Sequence, residues 1–148
     1  MASLTILSPA FGDNEDIPAK YSCQGEDVNP ELHIEDVPDG AQSLVLIMDD
    51  PDAPGGTFDH WIVFDIPSET SVIAEDSVPE EATQGRNDFG NNEYGGPCPP
   101  SGTHRYQFKL YAIDTTIELP EGSTKEDVLA AIEDHVIEED MLTGLFSK

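Results

Sequence analysis

Apolar residues fall into a few short blocks whose period changes along the chain. Leu4-Thr5-Ile6-Leu7 reads as a first strand. Glu31 through Val37 alternates polar and apolar residues, the period of a half-buried strand, and Pro38-Asp39-Gly40 ends it in a turn. Ser43-Leu44-Val45-Leu46-Ile47-Met48 is apolar almost throughout, which predicts a central strand covered on both faces. Trp61 through Ile66 is a second such run, stopped by Pro67, which has no N–H to give a ladder. Thr103 through Asp114 alternates over its whole length. It places His104, Tyr106, Phe108, Leu110 and Ala112 on one face and Arg105, Gln107, Lys109 and Tyr111 on the other. One segment switches to a helical period. Ser123-Thr124-Lys125-Glu126 has the form of a capping box, and Val128, Leu129, Ile132 and Val136 follow at helical spacing. Met141 through Phe146 reads as a last strand. Many strands, one clear helix, 12 Pro and 12 Gly predict a mainly β protein: an antiparallel β-sandwich with one or two short peripheral helices.

The 148 residues fit one domain, 1–148, around one core. No apolar stretch approaches the ~20 residues of a membrane helix, so no integral membrane segment is expected. The opening Met1–Leu7 has no basic residue and too short an apolar run for a secretory signal, so a cytoplasmic location is expected. Charge changes the picture more. There are 31 acidic residues against 6 Lys plus Arg, a formal net charge of −25. A surface of one sign repels itself, and the penalty fades at molar salt, where the Debye length is ~3 Å. The acids are spread over the whole length, and Lys occurs only at Lys20, Lys109, Lys125 and Lys148. The plain reading is a very soluble acidic protein; the sharper one, favoured here, is adaptation to the salt-filled cytoplasm of an extreme halophile. Loss of stability on dialysis into low salt separates the two. With no basic stripe to neutralise phosphates, nucleic-acid binding is excluded. Cys23 and Cys98 match no zinc spacing; in a reducing cytosol they read as two small buried thiols, with a bridge between them left open.

Two segments carry the candidate chemistry. In the first, Asp49-Asp50-Pro51-Asp52-Ala53-Pro54 precedes Asp59-His60-Trp61. A spacing of two in extended chain points Asp50 and Asp52 into the same space. Asp-Pro-Asp alone is commonly a turn with local hydrogen bonds. His60 adds weight, because a histidine opening a buried strand needs a polar partner. Asp50 or Asp52 is expected to supply it, orienting the ring and raising its pKa. In the second segment, Gly95-Gly96-Pro97-Cys98-Pro99-Pro100 precedes Gly102-Thr103-His104-Arg105-Tyr106. His104 and Tyr106 share one side of their strand; Arg105 faces away, toward an acid outside the pocket. The glycine-rich loop lets a ligand approach the backbone, and the Gly96 N–H is expected to serve an anion as backbone nests do. Remaining residues read as structural: His33 on the surface, His135 set against the helix dipole, Trp61 in the core, and Asp88 bracing the pocket loop.

These motifs, in this order, resemble the phosphatidylethanolamine-binding protein family, and most closely its bacterial and archaeal Raf-kinase-inhibitor-like branch. The similarity rests on DDPDAP at Asp49–Pro54, His60-Trp61, NDFG at Asn87–Gly90, GGPCPP at Gly95–Pro100 and the HRY of His104–Tyr106, with Tyr21-Ser22-Cys23-Gln24-Gly25 in support. The resemblance implies a large sheet facing a smaller one and an anion pocket at one end that accepts phosphate-like groups. It assigns Asp50, Asp52, His60, His104 and Tyr106 to that pocket, with Gly96, Pro99 and Pro100 as wall, and it implies a homodimer. The segment Gly55–Asp59 is shorter and more acidic than in many members, which bears on the rim of the pocket. The leading expectation is a binding protein for a small anionic ligand, with no cofactor. A second is a regulator that docks on another protein, such as a protease or kinase. A third is a metal-dependent hydrolase with zinc on His60, His104, Asp50 and Asp52, although the spacing matches no known ligand motif.

Overall fold

The computed structural model describes residues 3–147. In chain order its elements are β1 (Thr5–Leu7), β2 (Glu15–Asp16), β3 (Leu32–Glu35), β4 (Ser43–Asp50), β5 (Phe58–Pro67), β6 (Val72–Ile73), β7 (Thr83–Gln84), β8 (Thr103–Ile113), α1 (Lys125–Ile132) and β9 (Val136–Ser147). They form a three-stranded sheet, β1-β3-β6, and a six-stranded sheet, β2-β9-β8-β4-β5-β7. All pairs are antiparallel except β2–β9. The expected sandwich of a large sheet on a smaller one is what forms.

The reason lies in which faces are apolar. Ile6, Leu32, Ile34 and Ile73 of the small sheet, with Leu4 just before it, meet Leu44, Leu46, Met48, Trp61, Tyr106, Phe108 and Leu110 of the large one in a single core. The other face of β4 and β5 is apolar too, as their unbroken runs required. There Val45, Ile47, Ile62 and Phe64 are covered by Val128 and Ile132 of α1. Burial in β8 alternates along its length as its sequence does, with His104, Tyr106, Phe108, Leu110 and Ala112 all inside.

Several boundaries differ from the pattern. β4 runs on to Asp50 and β5 begins already at Phe58, because the two keep pairing as far as Asp50 opposite Phe58. The helix cap is Thr124, not Ser123: its hydroxyl accepts from the Asp127 N–H while the Asp127 carboxylate accepts from the Thr124 N–H. Val136 does not belong to the helix. It opens β9, which pairs with β8 from Ile113 to Thr103. A sheet partner of that length outweighs a local helical spacing. His135 lies past the helix end, and its ring meets the Asp114 carboxylate at 2.7 Å. His33 pairs with Glu31, half-buried.

Candidate functional site

The pocket forms at one end of the large sheet, where β4 ends and β5 and β8 begin. A bulge does the aiming. Met48 pairs with Trp61 and Asp49 with Asp59, so His60 is an extra residue between them. In a regular strand His60 and Trp61 would face opposite sides. The bulge turns both inward: Trp61 enters the core, and His60 packs edge-on against Tyr106 with ring centroids 5.2 Å apart. His104, two residues before Tyr106 on β8, stacks with it at 6.4 Å. The two imidazoles, from distant parts of the chain, therefore flank one phenol.

They line a cavity of about 310 Å³ together with Asp50, Phe58, Phe89, Cys98 and Tyr106. Ala53, Pro54, Pro99 and Pro100 complete the wall. His60 is 3% exposed. Its Nδ1 lies 2.7 Å from the Gly95 carbonyl oxygen. A carbonyl only accepts, so Nδ1 carries the proton and Nε2 is left bare. Burial holds the His60 pKa below the ordinary imidazole value. This corrects the expectation on two points: no Asp is the ring's hydrogen-bond partner, and its pKa moves down, because desolvation outweighs the raising influence of the Gly95 carbonyl and Asp50.

Asp50 belongs to His104 instead. Its Oδ2 lies 2.6 Å from His104 Nδ1, with both side chains buried. Its Oδ1 accepts from the Asp52 N–H at 2.8 Å. The imidazole is thus oriented with Nδ1 occupied and Nε2 free. Tyr106 is fully buried, and its hydroxyl makes no hydrogen bond of regular geometry among the described residues, with the Asp50 carboxylate and the Cys98 N–H as its polar neighbours. Burial pushes the phenol well above its ordinary pKa, so it stays a donor at any physiological pH.

Two expected site residues turn away. Asp52 is not on the cavity wall. Its carboxylate takes the Arg105 N–H and Nε at 2.9 Å and a terminal guanidinium nitrogen at 2.9 Å. That guanidinium holds the Asp52 pKa down to about 2. The spacing rule fails for Asp52 because β4 ends at Asp50 and the chain turns at Pro51. Arg105 does point outward to an acid as predicted; the acid is Asp52. Gly96 is the second departure. Its N–H donates to Asp27 Oδ1 at 2.8 Å and so is not free for an anion. A Cβ there would run into the Tyr21 carbonyl, so glycine serves the packing of one loop on another. Pro100 stands on the wall as expected, and Asp88 braces the loop by accepting from the Asp59 N–H at 2.7 Å.

Pattern reading missed the aromatic rim. Phe58 and Phe89 lie 5.0 and 5.4 Å from the His60 ring. Phe58 precedes the apolar run that marks the strand, and Phe89 sits in NDFG with no periodic apolar neighbour. Cys23 and Cys98 are not buried thiols: they form a disulfide, and both residues are exposed. Among the described residues no group of three or more His, Cys, Asp or Glu converges as a metal site.

Fold and site together define a two-sheet β-sandwich with a histidine-paired, aromatic-rimmed pocket at one end. The phosphatidylethanolamine-binding protein family model matches residues 7–147, and the chain belongs to that family. A UPF0098 protein of Pyrococcus horikoshii is 49% identical over 96% of this chain and 76% of its own length. A UPF0098 protein of Methanothermobacter thermautotrophicus is 45% identical over 98% and 99%. Among solved structures, a putative phosphatidylethanolamine-binding protein homolog from Chlamydia trachomatis superposes with a TM-score of 0.95 at 42% identity, covering 99% of this chain and 98% of that one. Escherichia coli YbcL, described as a new member of the mammalian family, superposes at 0.93 with 31% identity, covering 99% of each.

Proposed function

We propose that the pocket binds a small anionic ligand, phosphate or a phosphorylated head group, through Nε2 of His60 and His104 and the hydroxyl of Tyr106. The observation that carries this reading is the Tyr106 hydroxyl, buried without a partner between two oriented rings. An unpaired buried hydroxyl costs stability, so a ligand oxygen is its natural complement. The rim adds a size and polarity preference: Phe58, Phe89, Pro54 and Pro100 offer apolar contact to an organic group beyond the anion. Long-range repulsion works against any anion here, since the chain carries −25. Selection rests on short charge-assisted hydrogen bonds, which salt screens least.

The state of His60 makes binding proton-linked. Bare Nε2 is an acceptor, so an anion docks either with its own O–H toward His60 or by drawing a proton onto the ring. Affinity therefore rises as pH falls toward and below the ordinary imidazole value of about 6.5. The test is an NMR titration of the four histidine rings with phosphate and with phosphoethanolamine in molar salt. Shifts at His60 and His104, with His33 and His135 still, are expected. Silence at both pocket rings above and below that pH sinks the proposal.

A further inference from the structure

We propose that the Cys23–Cys98 disulfide is a thiol-exchange site that gates the pocket, and that its reaction partner is a dithiol reductant. Cys98 lines the cavity, as do Pro99 and Pro100 immediately after it. Both half-cystines are exposed to solvent, so an attacking thiolate reaches the sulfurs without unfolding the chain.

What matters is how the wall is held. Upstream of Cys98 the loop is fastened three times. The Gly95 N–H donates to the His60 carbonyl at 3.0 Å, the Gly96 N–H to Asp27 at 2.8 Å, and the Cys23 N–H to the Pro97 carbonyl at 3.1 Å. From Cys98 to Gly102 no hydrogen bond is made among the described residues, and the next fixed point is Thr103, where β8 begins. Pro99 and Pro100 lack the N–H to make one. Beside the packing of buried Pro99 and the approach of the Cys98 N–H to the Tyr106 hydroxyl, the disulfide is the one covalent tether of this stretch. Its partner Cys23 follows Ser22 and the Ala19–Tyr21 turn, which are held by their own backbone bonds.

The exchange balances without an outside oxidant. One thiolate of the dithiol attacks a sulfur of the bridge, breaks the S–S bond and forms a mixed disulfide; the sulfur released takes a proton. The second thiol of the reductant then displaces the remaining protein sulfur. The protein gains two electrons and two protons, and the reductant leaves as a disulfide. Because the Gly95 carbonyl that orients His60 lies upstream of Cys98, reduction frees the Cys98–Gly102 wall and leaves the His60 ring in place. The effect on affinity rests on the pocket being the ligand site; the effect on the wall does not.

The experiment compares oxidised full-length chain with chain treated with dithiothreitol, both in molar salt. Two thiols per chain are expected after treatment. Backbone ¹⁵N relaxation should show greater fast motion at Cys98, Ser101 and Gly102 while β8 and the His60 ring signals stay as they were. Phosphate should bind about tenfold more weakly, the equivalent of ordering roughly one backbone residue on binding. Cys23→Ser should bind as the reduced protein does, with no response to dithiothreitol. Resistance of the bridge to reduction in the folded chain overturns the proposal. So does unchanged backbone relaxation at Cys98, Ser101 and Gly102, or global unfolding on reduction, since a gate requires that the fold persist. Should phosphate bind neither form, the ligand reading fails while the backbone relaxation still decides the fate of the gate.

Discussion

Asp49 and Asp50 are neighbours on β4 and face opposite sides of the large sheet. Asp50 turns inward to His104 and the cavity. Asp49 turns outward, 1% exposed, where Lys109 reaches one of its oxygens at 3.1 Å and Lys125 reaches the same oxygen at 3.3 Å. Lys125, at the start of α1, also holds Asp59 Oδ1 at 2.7 Å. The outer cluster is thus built of opposite charges closed under a helix. The inner one is built of two imidazoles, one carboxylate and a phenol around open space. The same strands supply both. What differs is that a lysine from the helix closes the outer side, although Asp49 Oδ1 still lacks a hydrogen-bond partner among the described residues, while the inner side opens onto a cavity, the site of the proposed ligand.

The largest effect should come from opening the outer cluster. Lys125→Ala leaves Asp49 and Asp59 buried with less compensation, and should lower unfolding stability by roughly 3 kcal/mol, while phosphate affinity is unchanged. Denaturant unfolding in molar salt measures the first, and ring titration the second. A stability loss below about a third of that would mean that the outer cluster is held by packing, not charge.

Tyr106→Phe should do the reverse. Removing an unpartnered buried hydroxyl leaves stability equal or raises it by up to about 1 kcal/mol, and weakens phosphate binding about tenfold through loss of one hydrogen bond to a charged group. A variant that is both less stable and fully competent to bind would show that the hydroxyl is a packing feature.

Next in size is the pH response of His60. Its folded pKa is depressed by burial, so the unfolded chain takes up the proton first as pH falls. The ring's contribution to stability is present above the unfolded value of about 6.5 and is lost as pH drops through it toward the folded value. Bound phosphate should move the His60 titration upward. Urea midpoints at several pH values, with and without phosphate, show both changes; His60→Gln should remove the ligand-linked part.

The smallest effect is expected at Arg105. Its pair with Asp52 is solvent-exposed, and Arg105→Ala should fall within the ordinary spread of surface substitutions, leaving the pocket alone. The pair's contribution is present above the usual Asp pKa and is lost as pH falls toward the folded value of about 2. A marked loss of phosphate affinity in this variant would bring Asp52 back into the site.

Alternation along β8 and the unbroken runs of β4 and β5 made both layers legible, because strand period and burial on one or two faces are written in consecutive residues. The same alternation placed His104 with Tyr106 and sent Arg105 outward. Local patterning failed where a distant partner decided. Val136 was taken by pairing with β8, the Ser123 cap moved to Thr124, and Asp52 was drawn off by Arg105.

What the chain alone determined is therefore its class and the chemistry available at one end of it: which strands carry apolar faces, and that two histidines, a tyrosine and an acid stand at strand ends. Only the tertiary structure decided which acid serves which ring, that a bulge swings His60 inward, and that Cys23 and Cys98 meet across a sequence separation of 75. The physical reason is range. Periodicity is enforced by bonds between near neighbours, whereas partner choice among polar groups is settled by desolvation and geometry between segments that have no covalent memory of one another.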